Sequence, residues 1–258
     1  MNNDALTLTR LKGVKHVLPG DDLSNIIIEA LNVSDIVLKD GDILVLAQKI
    51  VSKSEGRLIN LTTIDPSRKA IRIARKVGKR PELVELILTE SNEVLRTRLG
   101  TIIVKHKSGF VCANAGIDHS NVLGSWGNPN DWVLLLPKDA DLSADRIRKA
   151  IEEQLNIRIG ILIIDSHGRA WRLGTIGMAI GLSGMPGLVD MRGIGDLYDY
   201  KLRVTVIDAA DELAAGASLM MGQAGEGTPI IHVRGFPYDL REGNASELVR
   251  PKKLDLFR

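Results

Sequence analysis

The stretch ILIIDSHGRAWRLG, residues 161–174, decides how the rest of the chain is read. It opens on an apolar run, 161–164, of the length that suits a buried strand. A polar break follows in Asp165, Ser166, His167 and Gly168. Such a break predicts a turn at the strand's end, with Asp165 bonding to nearby backbone N–H groups. Loops launched from strand ends are common sites of chemistry, because the strand fixes their origin. Asp165 and Ser166 offer oxygen to a hard cation, and Arg169 and Arg172 offer positive charge to an anion.

The chain has 258 residues, 44% of them hydrophobic, enough for a sizeable core or for two domains that share one. Aromatic residues make up only 3%, so that core is built from Ile, Leu, Val and Ala. A single cysteine, Cys112, excludes an internal disulfide. With no N-terminal apolar signal, it points to a cytoplasmic protein. No apolar run is long enough to cross a bilayer, so no membrane partner is expected. A net charge of +2 gives no global case for nucleic acid. The basic segment RKAIRIARKVGKR, 68–80, reads as a solvated helix face that helps to steer an anionic substrate.

Upstream of the central stretch, strands are expected over 6–11, 43–47, 101–105, 110–112 and 133–136. Helices are expected from an Asp21 or Asp22 cap through 30, from Pro66 as first helical residue to 77, from Pro81 to 92, and from Asp141 or Ser143 to 155. In the third of these, Val84, Ile87 and Leu88 make the apolar stripe, and Glu82, Glu85 and Glu90 the solvated side. Downstream, 174–187 is a strand or a buried irregular segment, 202–207 a strand, 209–221 a buried helix and 230–233 a closing strand. Asp211 and Glu212 in the first turn of that helix suit its dipole. A polar tail covers 244–258. Strand, helix, strand across 133–164 is consistent with αβ layering.

Four further segments carry candidate chemistry. Gly13, Val14, Lys15 and His16 follow a strand and can cradle an anion. Lys53, in the polar segment after 47, can meet a phosphate as a mobile point charge. Residues 113–121, ANAGIDHSN, hold Asp118 as a hard-cation ligand type and Asn121 as a donor and acceptor for a purine edge or ribose. Cys112 beside them reads as inert, and the tryptophans of the Gly/Pro/Asn-rich loop 124–132 as packing anchors. Finally, Met221, Gly222, Gln223, Ala224, Gly225, Glu226, Gly227 and Thr228 form a glycine-rich loop. It lacks the Gly-Lys-Ser/Thr ending of a P-loop, yet can wrap polyphosphate and offer Gln223 or Glu226 to a metal. If the oxygen-bearing loops converge, they suit Mg²⁺ or Mn²⁺ and phosphoryl transfer. One cysteine and unspaced histidines argue against zinc. Neither a dinucleotide fingerprint nor a serine elbow is present.

In order along the chain, GVKH (13–16), VSKSEGR (51–57), NAGIDHSN (114–121), DSHGR (165–169), Arg172, DLY (196–198) and LMMGQ (219–223) resemble the F420 gamma-glutamyl ligases. That is the coenzyme F420-0:L-glutamate ligase family. The resemblance runs from about 6 to 235 and rests on the combination of NAGID-x-SN with D-S/T-x-GR. It implies an α+β fold of two domains, with mixed, largely antiparallel sheets and packed helices, in an intertwined homodimer. One module, 1–160, would carry the nucleotide-binding loops and the first metal ligand, and a second, 161–258, the metal and phosphate loops, with the site shared between them.

The resemblance further implies a GTP-dependent ligase that adds L-glutamate to F420-0 and then gamma-linked glutamate, through an acyl phosphate. Two divalent cations, Mg²⁺ or Mn²⁺, are expected, with K⁺ as a further ion. Asp118 and Asp165 would hold the first divalent cation, Ser166 and Gln223 the second. Residues 13–16, Lys53, Asn121 and the loop 221–228 would contact GTP. Asp118, Asp165, Arg169 and Arg172 would serve catalysis, the arginines by holding the substrate's carboxylate or phosphodiester. GVKH departs from the Gly-Leu-Pro-type sequence common in the family, so backbone contacts survive there better than side-chain ones. The alternatives are the same ligation on another carboxylate and a noncatalytic nucleotide-binding regulatory homologue.

Overall fold

The computed structural model describes residues 5–256. In chain order the elements begin with strand β1 (Thr7–Arg10), helix α1 (Leu23–Val33), β2 (Ile43–Ala47), α2 (Gln48–Ser54), β3 (Leu58–Asn60), α3 (Arg68–Val77) and α4 (Pro81–Thr89). Next come β4 (Ser91–Arg98), β5 (Thr101–His106), β6 (Val111–Ala113), β7 (Trp132–Leu134), α5 (Ala140–Leu155), β8 (Gly160–Gly168) and β9 (Thr175–Ser183). The chain closes with β10 (Leu188–Asp190), β11 (Val206–Asp208), α6 (Ala209–Met221) and β12 (Ile230–Arg234).

The main sheet has the order β1-β12-β2-β8-β9, and only its β2–β8 pair is parallel. It draws β1 and β2 from before residue 160, and β8, β9 and β12 from after it. The central strands are apolar throughout because both faces are covered. Leu44, Leu46, Ile161 and Ile163 pack toward α1 and α5, whereas Ile43, Val45, Leu162 and Ile164 pack toward α6. Each such fully buried side chain contributes about 1.5–3 kcal/mol.

The polar break at Asp165 does not end β8. The ladder with β9 continues through Asp165–Met178, Ser166–Gly177, His167–Ile176 and Gly168–Thr175. What ends is β2, whose last pair is Ala47 with Ile164. Past that level β8 keeps one neighbour, so polar residues are tolerated without loss of the strand. A bulge shifts the β8–β9 register after Ile163–Gly181. It turns β9's small residues to opposite faces. A Cβ on Gly177 would come within 2.4 Å of the Ala214 carbonyl oxygen in α6, and one on Gly181 within 2.5 Å of Ala140 in α5. The glycine-rich stretch 174–187 is therefore a strand that lets two helices approach closely.

A second apolar cluster gathers α3, α4, β5 and β7 within residues 58–135, with the sheet β4-β5-β6 beside it. Several expectations shift here. Ser67, not an upstream residue, caps α3, so Pro66 lies outside it. The basic residues of α3 are exposed while Ala70, Ala74 and Val77 are buried, as a solvated face requires. Helix α4 stops at Thr89, and 91–98 is a strand held by β5. Glu90 is not solvated: it pairs with Arg57 at 2.6 Å. The polar segment after 47 is helix α2, and Asp139 caps α5 two residues before Asp141. The late strand is shorter than expected, covering Val206–Asp208. The tail holds two short 3-10 turns, Ala245–Leu248 and Lys252–Leu254, and residues 257–258 lie outside the described range.

Asp42, at the foot of β2, ties that strand to its neighbour β12. Its carboxylate takes hydrogen bonds from His232 at 2.8 Å, from Arg234 at 2.9 and 2.6 Å, and from the Lys39 N–H at 2.9 Å. Burial opposes the charge, but these bonds outweigh it and hold the pKa at about 2. A depressed carboxylate stabilises fully above its unfolded value of 3.8 and loses that contribution as pH falls toward 2. Asp42→Asn is expected to cost about 3 kcal/mol at pH 7. It should also flatten the pH 4 to 2 decline, read by urea unfolding at stepped pH.

Candidate active site

The parallel pairing of β2 with β8 ends at Ala47–Ile164, and the residues that follow on each segment supply the floor of one cavity. From β2 the chain enters α2, presenting Gln48, Lys49 and Lys53. From β8 come Ile164, Asp165 and Ser166. The cavity has a volume of about 530 Å³. Its remaining walls are Val14–Val17, Asn121–Leu123, Ser218 and the loop from Met221 to Pro229. Sites at the carboxyl ends of parallel strands follow a general rule of α/β sheets.

Most of the residues singled out from sequence meet here. Val14, Lys15, His16, Lys53, Asn121, Asp165, Ser166 and all of 221–228 line the cavity. Gly13 stands just outside, at a φ of +72°, where an added Cβ would lie 2.9 Å from Val33. Asn121 Nδ2 donates to the Ala224 carbonyl at 3.0 Å, joining two loops more than a hundred residues apart in sequence. The 221–228 loop braces itself. Thr228 Oγ1 donates to the Met221 carbonyl at 3.0 Å, and the Ala224 N–H donates to Glu226 at 2.8 Å. Glu226 is thereby committed to backbone N–H groups, which lower its pKa. Gly222 sits at φ +77°, and a Cβ there would fall 2.2 Å from the Glu226 carboxyl carbon.

The candidate oxygen ligands fall into two pairs. Ser166 Oγ donates to Gln223 Oε1 at 2.7 Å, and Gln223 Nε2 donates to Ser218 Oγ at 2.9 Å. Asp118 lies behind α2, held by Gln48 Nε2 at 2.8 Å and by the Lys49 ammonium. Burial raises the Asp118 pKa; Lys49 counters this, and the nearby Asp165 charge adds to it. Two carboxylates close enough to sense one another, one of them destabilised as an anion, fit a divalent cation. Ser166 and Gln223, oriented oxygen to oxygen, fit a second. Among the described residues no group of three or more His, Cys, Asp or Glu side chains is placed to hold a metal, so the fit rests on this mixed oxygen set.

His167 explains how β8 is locked beside the second cluster. Its ring packs 5.4 Å from Phe110, which stacks on His106 at 5.1 Å. His167 Nε2 is 3.0 Å from Asp165 Oδ2, but the ring is not aligned for a hydrogen bond. Burial lowers the His106 pKa to about 4, so this ring is neutral at pH 7. Arg169 and Arg172 are not among the cavity-lining residues. They sit at and beyond the end of β8, Arg169 with one buried, unpaired Nη1 and Arg172 exposed.

Sequence reasoning assigned no role to Gln48, Lys49 or Ser218. The signal for the first two was the four-residue spacing of Gln48 with Ser52 and of Lys49 with Lys53, which a helix turns into two adjacent pairs. It was hidden because α2 reads as a polar loop. Lys53 is half-buried, and burial together with Lys49 lowers its pKa. Trp132 is buried and acts as an anchor, whereas Trp126 is half-exposed and meets it edge to face at 5.4 Å, with Trp132 Nε1 donating to the Trp126 carbonyl at 2.7 Å.

Comparison with known proteins finds one family along most of the chain. The profile described as F420-0:Gamma-glutamyl ligase matches residues 13–235. The coenzyme F420:L-glutamate ligase of Methanothermobacter thermautotrophicus is 44% identical over 98% of this chain and 99% of its own. The enzyme of the same description from Methanococcus maripaludis strain C7 is 46% identical over 88% of both chains. That from Archaeoglobus fulgidus is 41% identical over 96% of this chain and 94% of its own.

Cys112 lies close to this centre but is not built to react. Burial, and then the Asp165 charge, push its thiol up to about 12. The thiolate is the reactive form, so a disulfide reagent at pH 8 should label the native protein about a hundredfold more slowly than the urea-unfolded chain. Comparable rates, followed by absorbance of the released thiol, would contradict the buried placement.

Proposed function

The chain belongs to the F420-0:gamma-glutamyl ligase family, and from that membership we propose that it joins L-glutamate to coenzyme F420-0 and then adds gamma-linked glutamate, with GTP as phosphoryl donor. One observation carries the reading. The Asp165–Ser166 step, Gln223, Lys53 and the 221–228 loop face a single cavity, with Asp118 against its α2 wall. Phosphate chemistry needs cation ligands, fixed positive charge and backbone donors in one place.

In this reading the terminal carboxylate of F420-0 attacks the γ-phosphorus of GTP. The bond to the bridging oxygen breaks, GDP leaves and an acyl phosphate forms. The amine of glutamate, having lost a proton, attacks the acyl carbon and inorganic phosphate leaves. Lys15 and Lys53 neutralise the triphosphate, and the 221–228 loop wraps it with backbone N–H groups. Asn121 fixes that loop through Ala224. Asp118 with Asp165, and Ser166 with Gln223, would hold two divalent cations, Mg²⁺ or Mn²⁺, with K⁺ as a further ion. When bound, such cations screen phosphate charge and stabilise the transferred group. Arg169 and Arg172, outside the cavity at the β8–β9 hairpin, hold the substrate's carboxylate or phosphodiester.

The site takes residues from both sides of the boundary between the proposed modules, 1–160 and 161–258. A homodimer is part of the proposal. The β10–β11 arm leaves Leu197, Tyr198 and Val204 exposed at 97, 89 and 86%, an apolar surface that a second copy would cover. Among the described residues no helix is long and apolar enough to cross a membrane.

Purified protein given GTP, Mn²⁺, L-glutamate and F420-0 should yield the mono- and diglutamylated products by mass. Absence of product across metal conditions, with a folded protein, would sink the assignment. Asp165→Asn should abolish GTP-dependent ligation while its circular dichroism and melting stay close to the parent. Turnover near the parent rate would remove Asp165 from the cation set.

A further inference from the structure

The Asp118 carboxylate has two hydrogen-bond partners, and they differ in kind. Gln48 is buried and pinned at both ends: Nε2 donates to Asp118 Oδ2 at 2.8 Å, and Oε1 accepts from Ser52 Oγ at 2.8 Å. It orients the carboxylate and cannot leave without stranding two buried polar groups. Lys49 is a quarter exposed, carried on a flexible four-carbon stem. Among the described residues, its ammonium bonds to Asp118 Oδ2 alone. One turn further along α2 stands Lys53, which also lines the cavity and senses the charge of Lys49.

We propose that Lys49 is a built-in counter-cation for Asp118, displaced toward the phosphate-binding part of the cavity when a divalent cation arrives. The proposal rests on the reading of Asp118 as a metal ligand. Two neighbouring carboxylates repel, and Asp118 is the one that lies against α2, beside Gln48 and Lys49. Lys49 relieves that repulsion in the metal-free protein. A cation reaching Oδ2 must compete with the ammonium for the same oxygen. Once released, Lys49 faces Lys15 and Lys53, so its new position is favourable only beside an anion. Cation and polyphosphate therefore assist each other's binding through Lys49, in addition to any direct contact between them. Asp165 has no comparable guard. The His167 ring beside it is buried and packed on Phe110, with no room to swing away.

The test uses the whole protein and Mn²⁺ alone, with free Mn²⁺ read by electron paramagnetic resonance and no nucleotide present. Lys49→Met removes the competitor and should bind Mn²⁺ about tenfold more tightly than the parent. Lys49→Arg keeps the charge and should stay near the parent, while Lys53→Met, which removes a charge from the same cavity without touching Asp118, should change affinity by no more than about twofold. Asp118→Asn should abolish the tight component. Melting curves check that each variant is folded, and Lys49→Gln carries the same measurement if the Met variant does not fold. Unchanged or weaker binding in Lys49→Met or Lys49→Gln, with Asp118→Asn still abolishing it, overturns the counter-cation role and leaves Asp118 a ligand. Equal tightening in Lys53→Met also overturns it, because the general field of the cavity would then be responsible. Mn²⁺ binding indifferent to Asp118→Asn removes the metal reading itself, and the role of Lys49 with it.

Discussion

The parallel pairing of β2 with β8 is the constraint on which the rest depends. Five consecutive pairs, from Ile43–Gly160 to Ala47–Ile164, set the two strands in one register and fix the level at which β2 gives way to α2 beside Asp165. Everything chemical begins at the next residue of each strand: Gln48 and Lys49 on one, Asp165 and Ser166 on the other. A slip of one residue would turn Asp165 toward the opposite face and bury a charge under α5 or α6. The register is protected because each strand is apolar on both faces, so a slip would also misplace four buried side chains per strand. Stability and site geometry are thus fixed by the same contacts.

The second cluster must then be held against that sheet within a fraction of an ångström, since Asp118 comes from it and Asp165 does not. Three contacts fix this relation. The Asp118 backbone exchanges hydrogen bonds with Leu134 at 3.0 and 2.9 Å, which ties the proposed ligand to β7 within the cluster. Arg57, just past α2, donates to the Leu136 carbonyl at 2.9 Å and pairs with Glu90. The His106–Phe110–His167 stack clamps the β5–β6 turn onto β8. None of the three touches the cavity, yet each limits how far the two carboxylates can drift apart.

Much of this was legible in sequence, and the gaps have physical causes. Helix α6 was read to the residue, because an alanine-rich run with acids in its first turn has few other readings. Strand β2 was read to the residue as well, because a short apolar run between turn signals cannot be a long helix. Strand β4 was missed: SNEVLRTR is an edge strand with two register irregularities and no fully buried residue, so it carries no period. The break at Asp165 was misread as a turn because local polarity cannot reveal that β9 continues to supply partners. Local signals did find the loops that line the cavity, but they could not rank Arg169 and Arg172 against Lys49. The arginines stand beside the recognisable motif, whereas Lys49 reaches the site through a seven-residue helix that looks like a loop.

That Asp165 and Ser166 lie on a strand rather than in a turn changes what the site can do. A turn would let both side chains sample several directions, and cation ligands lose affinity when they must be ordered on binding. On β8 they point to opposite faces by the pleat. Asp165 is therefore only about a tenth exposed beside the second cluster, while Ser166 is exposed and reaches Gln223. Adjacent residues can thus serve the two proposed ligand pairs without crowding one cation. Gly177, opposite Ser166 on β9, completes the arrangement. With no side chain there, α6 sits close enough to deliver Ser218 and the start of the 221–228 loop to the Ser166 side of the strand.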